Sequence, residues 1–298
     1  MTTHPPVLLQ EVLRELAIQP GMVVVDATLG GGGYTAAFAR ALQGEGILVG
    51  LDVEQAALDR TKERLRGINL GKVRLLLRRT SFADLEEVLA NDGIERVDRI
   101  AFDLGLSHFH LQESKRGFSF LHDEPLLMTL AESEFHQGPT AAEIVNQWPE
   151  ASLAELLRKY GDEPYARRIT KAIVRERSRK PIFTSGALAR VIEQVVPRRG
   201  KRHPATRAFQ AIRIAVNNEL QALEEGLQSA LRVLAPGGRI AVVSFHSGED
   251  RVVKAVFREA AQHGIGVRRS KKPVVPRPEE IAANPAARSA KLRVFEKK

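Results

Sequence analysis

The chain has 298 residues, 43% hydrophobic and 27% charged, with a formal net charge of +9, a composition that fits a globular protein of about two domains. No apolar run approaches the roughly 18 residues of a membrane span, and the start, Met1-Thr2-Thr3-His4-Pro5-Pro6, lacks the basic and apolar regions of an export signal, so a cytoplasmic protein without a membrane partner is expected. With no cysteine, disulfides, cysteine-ligated zinc, iron–sulfur clusters and thiol nucleophiles are all excluded.

Apolar residues at Val7, Leu8, Val12, Leu13, Leu16 and Ala17 recur at helical spacing and predict a helix over 7–18, ended by Pro20-Gly21. The β-branched run Met22-Val23-Val24-Val25-Asp26 then reads as a strand leading into Leu29-Gly30-Gly31-Gly32-Gly33. A helix over 34–42 follows, then a strand over 46–52 ending at Asp52, a helix over 54–66 and a strand over 73–77. A helix over 82–91 and a strand over 97–102, closed by Asp103, complete an alternation that argues a doubly wound parallel sheet. From about His110 to Arg207 the pattern is helical instead, with breaks at Gly138-Pro139, Trp148-Pro149, Gly161, Lys180-Pro181 and Val196-Pro197. One long helix over 209–234 leads back, and Pro236-Gly237-Gly238-Arg239 turns into a strand over 240–245. A helix over 251–262, a Pro-rich basic loop over 268–287 lying on the body and a final edge strand over 291–295 end the chain. The organisation is a Rossmann-like α/β domain over 1–109 and 208–298, interrupted by an all-helical domain over 110–207, with no internal repeat.

The positive charge is concentrated. Residues 151–213 hold 16 basic and 5 acidic side chains, residues 267–298 hold 10 and 3, and the rest of the chain is net acidic. Two basic blocks on an acidic body fit a polyanion-binding surface, to which the run Arg198, Arg199, Lys201, Arg202 of the first block is expected to contribute. With 5% aromatic residues, a single-strand stacking platform is not expected to dominate binding.

A glycine run after a first strand lets a ligand approach the backbone at the start of the next helix. Asp52, ending the second strand, can accept hydrogen bonds from both hydroxyls of a ribose, so an adenosine-bearing cofactor fits. In a dinucleotide enzyme the loop meets a pyrophosphate, but here Asp26 precedes the glycines. A carboxylate repels pyrophosphate and suits the ammonium of a methionine moiety, which favours S-adenosylmethionine over a nicotinamide cofactor. Asp103 occupies the same edge, where ligands of such sheets bind. Methylation of a pyrimidine at C5 needs a cysteine that adds at C6, so an exocyclic amine or a hydroxyl is left as acceptor. Cytosine N4 is a weak nucleophile, and an acceptor for its N–H groups, such as the Asp103 carboxylate or the Leu104 carbonyl, would help it pyramidalise. His246, Ser247, Glu249 and Asp250 have no spacing that fixes a catalytic triad. They read as pocket floor and helix anchor.

Several segments together carry a resemblance. They are His4-Pro5-Pro6-Val7-Leu8-Leu9, Asp26-Ala27-Thr28-Leu29-Gly30-Gly31-Gly32-Gly33, Asp103-Leu104-Gly105 and Arg116-Gly117-Phe118-Ser119-Phe120. The stretch from His203-Pro204-Ala205-Thr206-Arg207 to Arg213, Ser244-Phe245-His246-Ser247-Gly248-Glu249-Asp250-Arg251, and Asn284-Pro285-Ala286-Ala287-Arg288-Ser289 complete the set. In these the chain resembles, along almost its whole length, the bacterial small-subunit (16S) ribosomal RNA (cytosine-N4)-methyltransferase family. The resemblance implies a class I Rossmann-like S-adenosylmethionine-dependent methyltransferase with an inserted helical domain, acting on a cytidine in the decoding region of the ribosome. Its substrate would be 16S rRNA or the small subunit, and the family suggests a homodimer. Carried over by motif, the cofactor contacts fall on Gly32, Gly33, Tyr34, Asp52, Phe82, Asp103 and His110, with Asp103 also catalytic and no metal.

The chain departs from the family pattern at Tyr34, where His is customary, at His110, where Gln is, at His108, and at Leu127 and Thr129, where Asp and Arg are. His203 and Arg207 are expected to hold RNA phosphate or to lock a domain interface. Two alternatives stand beside this reading: a methyltransferase of another RNA or DNA position, and a nucleic-acid-binding protein with a degenerate cofactor pocket.

Overall fold

A computed structural model describes residues 6–132, 134–198 and 203–298, the His108 side chain excepted. His4 and Pro5 of the first motif, and Arg199, Lys201 and Arg202 of the basic run, lie outside the described residues. The chain divides into two compact units, one made of residues 1–105 and 220–298 and the other of residues 106–219.

The first unit is built on seven strands: β1 (Val23–Asp26), β2 (Ile47–Asp52), β3 (Arg74–Arg79), β4 (Val97–Asp103), β5 (Leu234–Ser244), β6 (Gly266–Arg268) and β7 (Lys291–Lys297). They lie in the order β3-β2-β1-β4-β5-β7-β6. The first five are mutually parallel, while β7 runs antiparallel to both β5 and β6. Helices α1 (Leu9–Leu16), α2 (Gly33–Ala41), α3 (Gln55–Leu65) and α4 (Leu85–Asn91) alternate with the early strands. In the second unit follow α5 (His108–Gln112), α6 (Ala141–Gln147), α7 (Glu150–Gly161), α8 (Ala166–Arg177), α9 (Ser185–Glu193) and α10 (Thr206–Asn217). The chain returns to the sheet through α11 (Glu219–Val233), and α12 (Ser247–Gln262) and α13 (Pro278–Ala283) follow.

Successive side chains of a strand point to opposite faces, and each face of this sheet has its own core. Val25, Val49, Leu51, Ile100 and Phe102 pack with Leu85, Leu89, Leu223, Leu227 and Phe257 of α4, α11 and α12. Their neighbours Val24, Leu48 and Ala101 pack with Val12, Leu16, Phe38 and Leu42 of α1 and α2. Strands buried on both sides explain the continuous apolar runs in the sequence.

The expected 268–287 loop carries α13 and a 3-10 turn (Pro285–Ser289), and is tied down by a bridge from Val274 to Leu292 and by Leu8 N donating to Glu280 Oε1 at 2.7 Å. The expected edge strand at 291–295 is an inner strand. The edge is β6, whose three residues are too short for a periodic signal. Gly266 lets β6 approach, since a Cβ there would overlap the Glu296 carbonyl.

The second unit has a core of Ile144, Val145, Leu153, Leu157, Ile169, Ile173, Leu188, Ile192, Phe209 and Ile212, drawn from α6 to α10. Three expectations are corrected here. Residues 113–132 and 134–140 are not helical but form an irregular segment held by side chains. The Arg116 guanidinium donates to the carbonyls of Thr129 and Leu130, and Asn217 donates to Met128 O and accepts from Leu130 N. Gly117 takes φ +75°, and a Cβ there would lie 2.5 Å from the Pro125 carbonyl. The single helix over 209–234 is two, α10 and α11, because Asn218 turns left-handed at φ +50°, a conformation Asn tolerates. The return to the first unit is therefore at 219/220 and not at 207, since Phe209, Ile212 and Val216 of α10 belong to the helical core. No helix among the described residues is long and apolar enough to cross a membrane.

The end of α7 meets α10 backbone to backbone. A Cβ on Gly161 would sit 2.6 Å from the Arg207 carbonyl, so Gly161→Ala forces the two helices apart. We predict a loss of about 1–3 kcal/mol, read as a lower urea midpoint in equilibrium unfolding.

Candidate active site

In the order β3-β2-β1-β4-β5 the chain leaves β1 in one direction and returns to β4 in the other, so β1 and β4 flank the switch point where open sheets of this kind bind ligands. Asp26 ends β1, Asp52 ends β2 and Asp103 ends β4. The strand ends are cross-linked through one threonine. Thr28 Oγ1 accepts from Asp103 N at 2.7 Å, and Thr28 N donates to Asp26 Oδ1 at 3.3 Å.

The three carboxylates have different partners. Asp26 is fully buried, and its Oδ2 accepts from the Thr35 hydroxyl of α2 at 2.5 Å. Burial pushes its pKa up to about 7 against the opposing hydrogen bonds from Thr35 and Thr28, and the charge of Asp52 adds to the rise. Both of its oxygens thus hold the glycine loop and α2, and the expected ligand-facing role for Asp26 is replaced by an internal one. Asp52 Oδ2 accepts from Gly30 N at 2.9 Å and Oδ1 from Glu54 N at 3.0 Å. A carboxylate oxygen has two lone pairs, so one on each oxygen remains. Desolvation raises its pKa to about 6 despite these two bonds. Asp103 differs from both: its Oδ1 is cut off from solvent and has no hydrogen-bond partner among the described residues. Burial, then the charges of Asp26 and Glu249, push its pKa well above the ordinary carboxylate range. A buried carboxylate without a donor is costly, and it marks the place where a ligand would complete the structure.

The glycines divide by what lies above them. A Cβ at Gly32 would fall 2.8 Å from Thr61 Oγ1 and 2.9 Å from Thr61 Cα, and one at Gly33 would overlap the Pro6 ring. The Gly32 amide closes a turn onto the Leu29 carbonyl at 2.7 Å. The need for glycine at 32 and 33 is thus met by the chain's own α3 and N-terminal segment, while Gly31 is exposed with open space where a side chain would be.

Tyr34 is buried, its hydroxyl donates to the Val7 carbonyl, and its ring packs against Phe38. Its side chain belongs to the core, so its backbone alone faces the start of α2. Phe82 makes an edge contact with Phe102 at 5.6 Å, and Gly226 of α11 gives it room, a Cβ there being 2.7 Å from the ring. The His246 cluster caps α12. Glu249 Oε2 accepts from Phe245 N at 2.8 Å and His246 N at 3.2 Å, and His246 Nδ1 accepts from Glu249 N. With its Nδ1 lone pair so engaged, the neutral ring carries its proton on Nε2, and the cluster serves as the helix anchor anticipated above. Asp250 points elsewhere, to Lys291 and Arg293 of β7.

His110 belongs to the second unit. There it completes the capping box of α5 with Ser107 and lies edge-on to Phe118 at 5.4 Å. His203 stacks on Phe120 at 4.1 Å and meets Glu193 at 2.8 Å, and Arg207 donates to the Asp162 carbonyl. Leu127 and Thr129 stand in the irregular segment, where Leu127 N bonds the Arg116 carbonyl and Thr129 is buried. The structure thus gathers Gly32, Gly33, Tyr34, Asp52, Phe82 and Asp103 in the first unit, and describes His110 within the other. Sequence reasoning missed Thr28 and Thr35, whose role depends on the buried Asp26, and Gly226, whose signal was a lone glycine inside a helical pattern.

Over residues 1–298 the chain matches the MraW methylase family. It is 41% identical to the ribosomal RNA small subunit methyltransferase H of a Paenibacillus species, covering all of both chains. It is 42% identical to the protein of that name from Symbiobacterium thermophilum, over 99% of this chain and 96% of that one. The corresponding protein of Dictyoglomus thermophilum is 43% identical, over 99% and 97%. A match along the whole chain, on a sheet with a carboxylate-lined switch point, makes this protein a member of the MraW methylase family.

Proposed function

We propose that the chain transfers a methyl group from S-adenosylmethionine to N4 of a cytidine in the decoding region of 16S ribosomal RNA. The observation that carries this reading is the unpartnered Asp103 Oδ1 at the switch point, set among the charges of Asp26 and Glu249. A desolvated, carboxylate-rich edge repels a pyrophosphate and favours a cation. The names of the relatives supply the ribosomal RNA of the small subunit, and the motif resemblance supplies the cytidine and its position.

S-adenosylmethionine supplies, when bound, a cationic sulfonium carrying an electrophilic methyl group. Asp52 would hold the ribose hydroxyls through its remaining lone pairs, Phe82 would lie against the adenine, and Gly33 and Tyr34 would offer first-turn amides of α2. Gly32 keeps the loop close to its neighbours. Asp103 Oδ1 would accept a hydrogen bond from the exocyclic amine and take its proton as the nitrogen–methyl bond forms and the sulfur–methyl bond breaks, the electron pair of the latter leaving with sulfur as a neutral thioether. Its raised pKa makes it a better proton acceptor than an ordinary carboxylate. The absence of cysteine agrees with direct transfer to nitrogen, which needs no covalent intermediate.

The deciding experiment is to incubate undermodified small subunits, and separately naked 16S RNA, with labelled donor and to locate the product by mass spectrometry. A single N4-methylcytidine is expected, and label on another atom or another base would refute the assignment. Asp103→Ala should keep the fold and lower the transfer rate by roughly 10²–10⁴-fold, measured in single turnover. Donor affinity should also depend on pH. Desolvation pushes the pKa of Asp52, the acid that would face the donor, up to about 6, and a cationic donor favours its ionised form. Binding therefore releases a proton and tightens as pH rises through that value, by up to about tenfold per pH unit below it. Calorimetry in buffers of different ionisation enthalpy reads this directly, and a pH-independent Kd would contradict it.

A further inference from the structure

Helix α8 has one face buried and one face that its own electrostatics disfavour. Ala166, Ile169, Thr170, Ala172 and Ile173 pack into the helical core. Arg167, Arg168, Lys171 and Arg175 are exposed. At 3.6 residues per turn these four fall within an arc of about 100°, and the only acid of the helix, Glu176, lies roughly opposite its edge. Arg167 and Arg168 stand in the first helical turn, where the macrodipole favours acids. Arg167 with Lys171, and Lys171 with Arg175, are like charges four residues apart, an unfavourable pairing.

Several other exposed or half-buried arginines have a partner nearby. Arg213 meets Glu219, Arg78 meets Asp92, Arg232 meets Glu86 and Arg177 donates to the Val145 carbonyl. Among the described residues, the side chains of Arg167, Arg168, Lys171 and Arg175 have no such partner. The same four line a shallow cavity of about 450 Å³, floored by Ala172 and Val195. A groove bordered by four uncompensated cations is unfavourable for the isolated unit and favourable against a row of anions. The nine residues from Arg167 to Arg175 span about 12 Å, roughly three to four phosphate-to-phosphate steps along one strand.

We infer that the exposed face of α8 is a binding site for the phosphate backbone of the RNA substrate, with Arg168, Lys171 and Arg175 as its principal contacts. This rests on the proposed action on ribosomal RNA.

The test is the triple variant Arg168→Gln, Lys171→Gln, Arg175→Gln, assayed for binding to a 16S RNA transcript across a series of salt concentrations. Three lost phosphate contacts should make the log–log salt slope shallower by about 2 and weaken binding at least tenfold near 0.1 M salt. Calorimetric donor binding should be unchanged, and the thermal midpoint unchanged or higher, because like charges have been removed. A variant with the parental slope and affinity would overturn the inference while leaving the proposed function standing. A parent chain that neither binds nor methylates the RNA would overturn the proposed function and this inference with it. Loss of binding to phosphatidylserine vesicles with RNA binding intact would assign the face to a membrane surface and also overturn it.

Discussion

Burying a carboxylate away from water costs several kcal/mol unless hydrogen bonds or a proton compensate, and at the end of β1 the chain meets that cost with two threonines. Thr35 reaches Asp26 from the first turn of α2, Thr28 reaches it from the loop, and the Thr28 hydroxyl in turn takes the amide of Asp103. One fully buried acid thereby fixes the glycine loop, the start of α2 and the end of β4 relative to one another. Asp103 is then left with an oxygen that nothing in the described protein satisfies. The site's chemistry follows from this division: one acid is spent on geometry and another is kept for a ligand.

The glycine loop shows the same economy of position. Gly32 and Gly33 are required because Thr61 and Pro6 lie where their side chains would be, whereas Gly31 has open space above it. The loop is therefore braced by packing against α3 and the N-terminal segment.

Much of this was legible before any coordinates. The acids at strand ends were visible because a β-branched run followed by Asp is a short-range pattern, and Asp26, Asp52 and Asp103 all fall on one edge of the sheet. What stayed hidden is non-local. Whether Asp26 faces a ligand or its own loop depends on Thr35, nine residues away across a turn. The break at Asn218 left no Pro or Gly behind, since Asn can adopt φ +50°, so two helices read as one and the boundary of the helical unit was set too early. β6 is three residues long and gains its place from Gly266 and β7. The 113–140 segment misled for a related reason: its apolar residues, such as Leu126 and Met128, are buried, but they are held by Arg116 and Asn217 and not by a helical ladder.

The insertion between β4 and β5 has a consequence for how the chain acquires its structure. These two strands are neighbours in the sheet, yet about 130 residues separate Asp103 from Leu234. Closing a disordered loop of that length carries an entropic penalty that grows with the logarithm of its length, and contacts so distant in sequence form slowly. A helical unit with its own core, in which α7 packs against both α8 and α10, can form first and replace that loop by a folded body. The kinetics of the sheet, and with them the time for which strand edges such as that of β4 stay exposed to aggregation, are then set by a unit that contributes no strand to it.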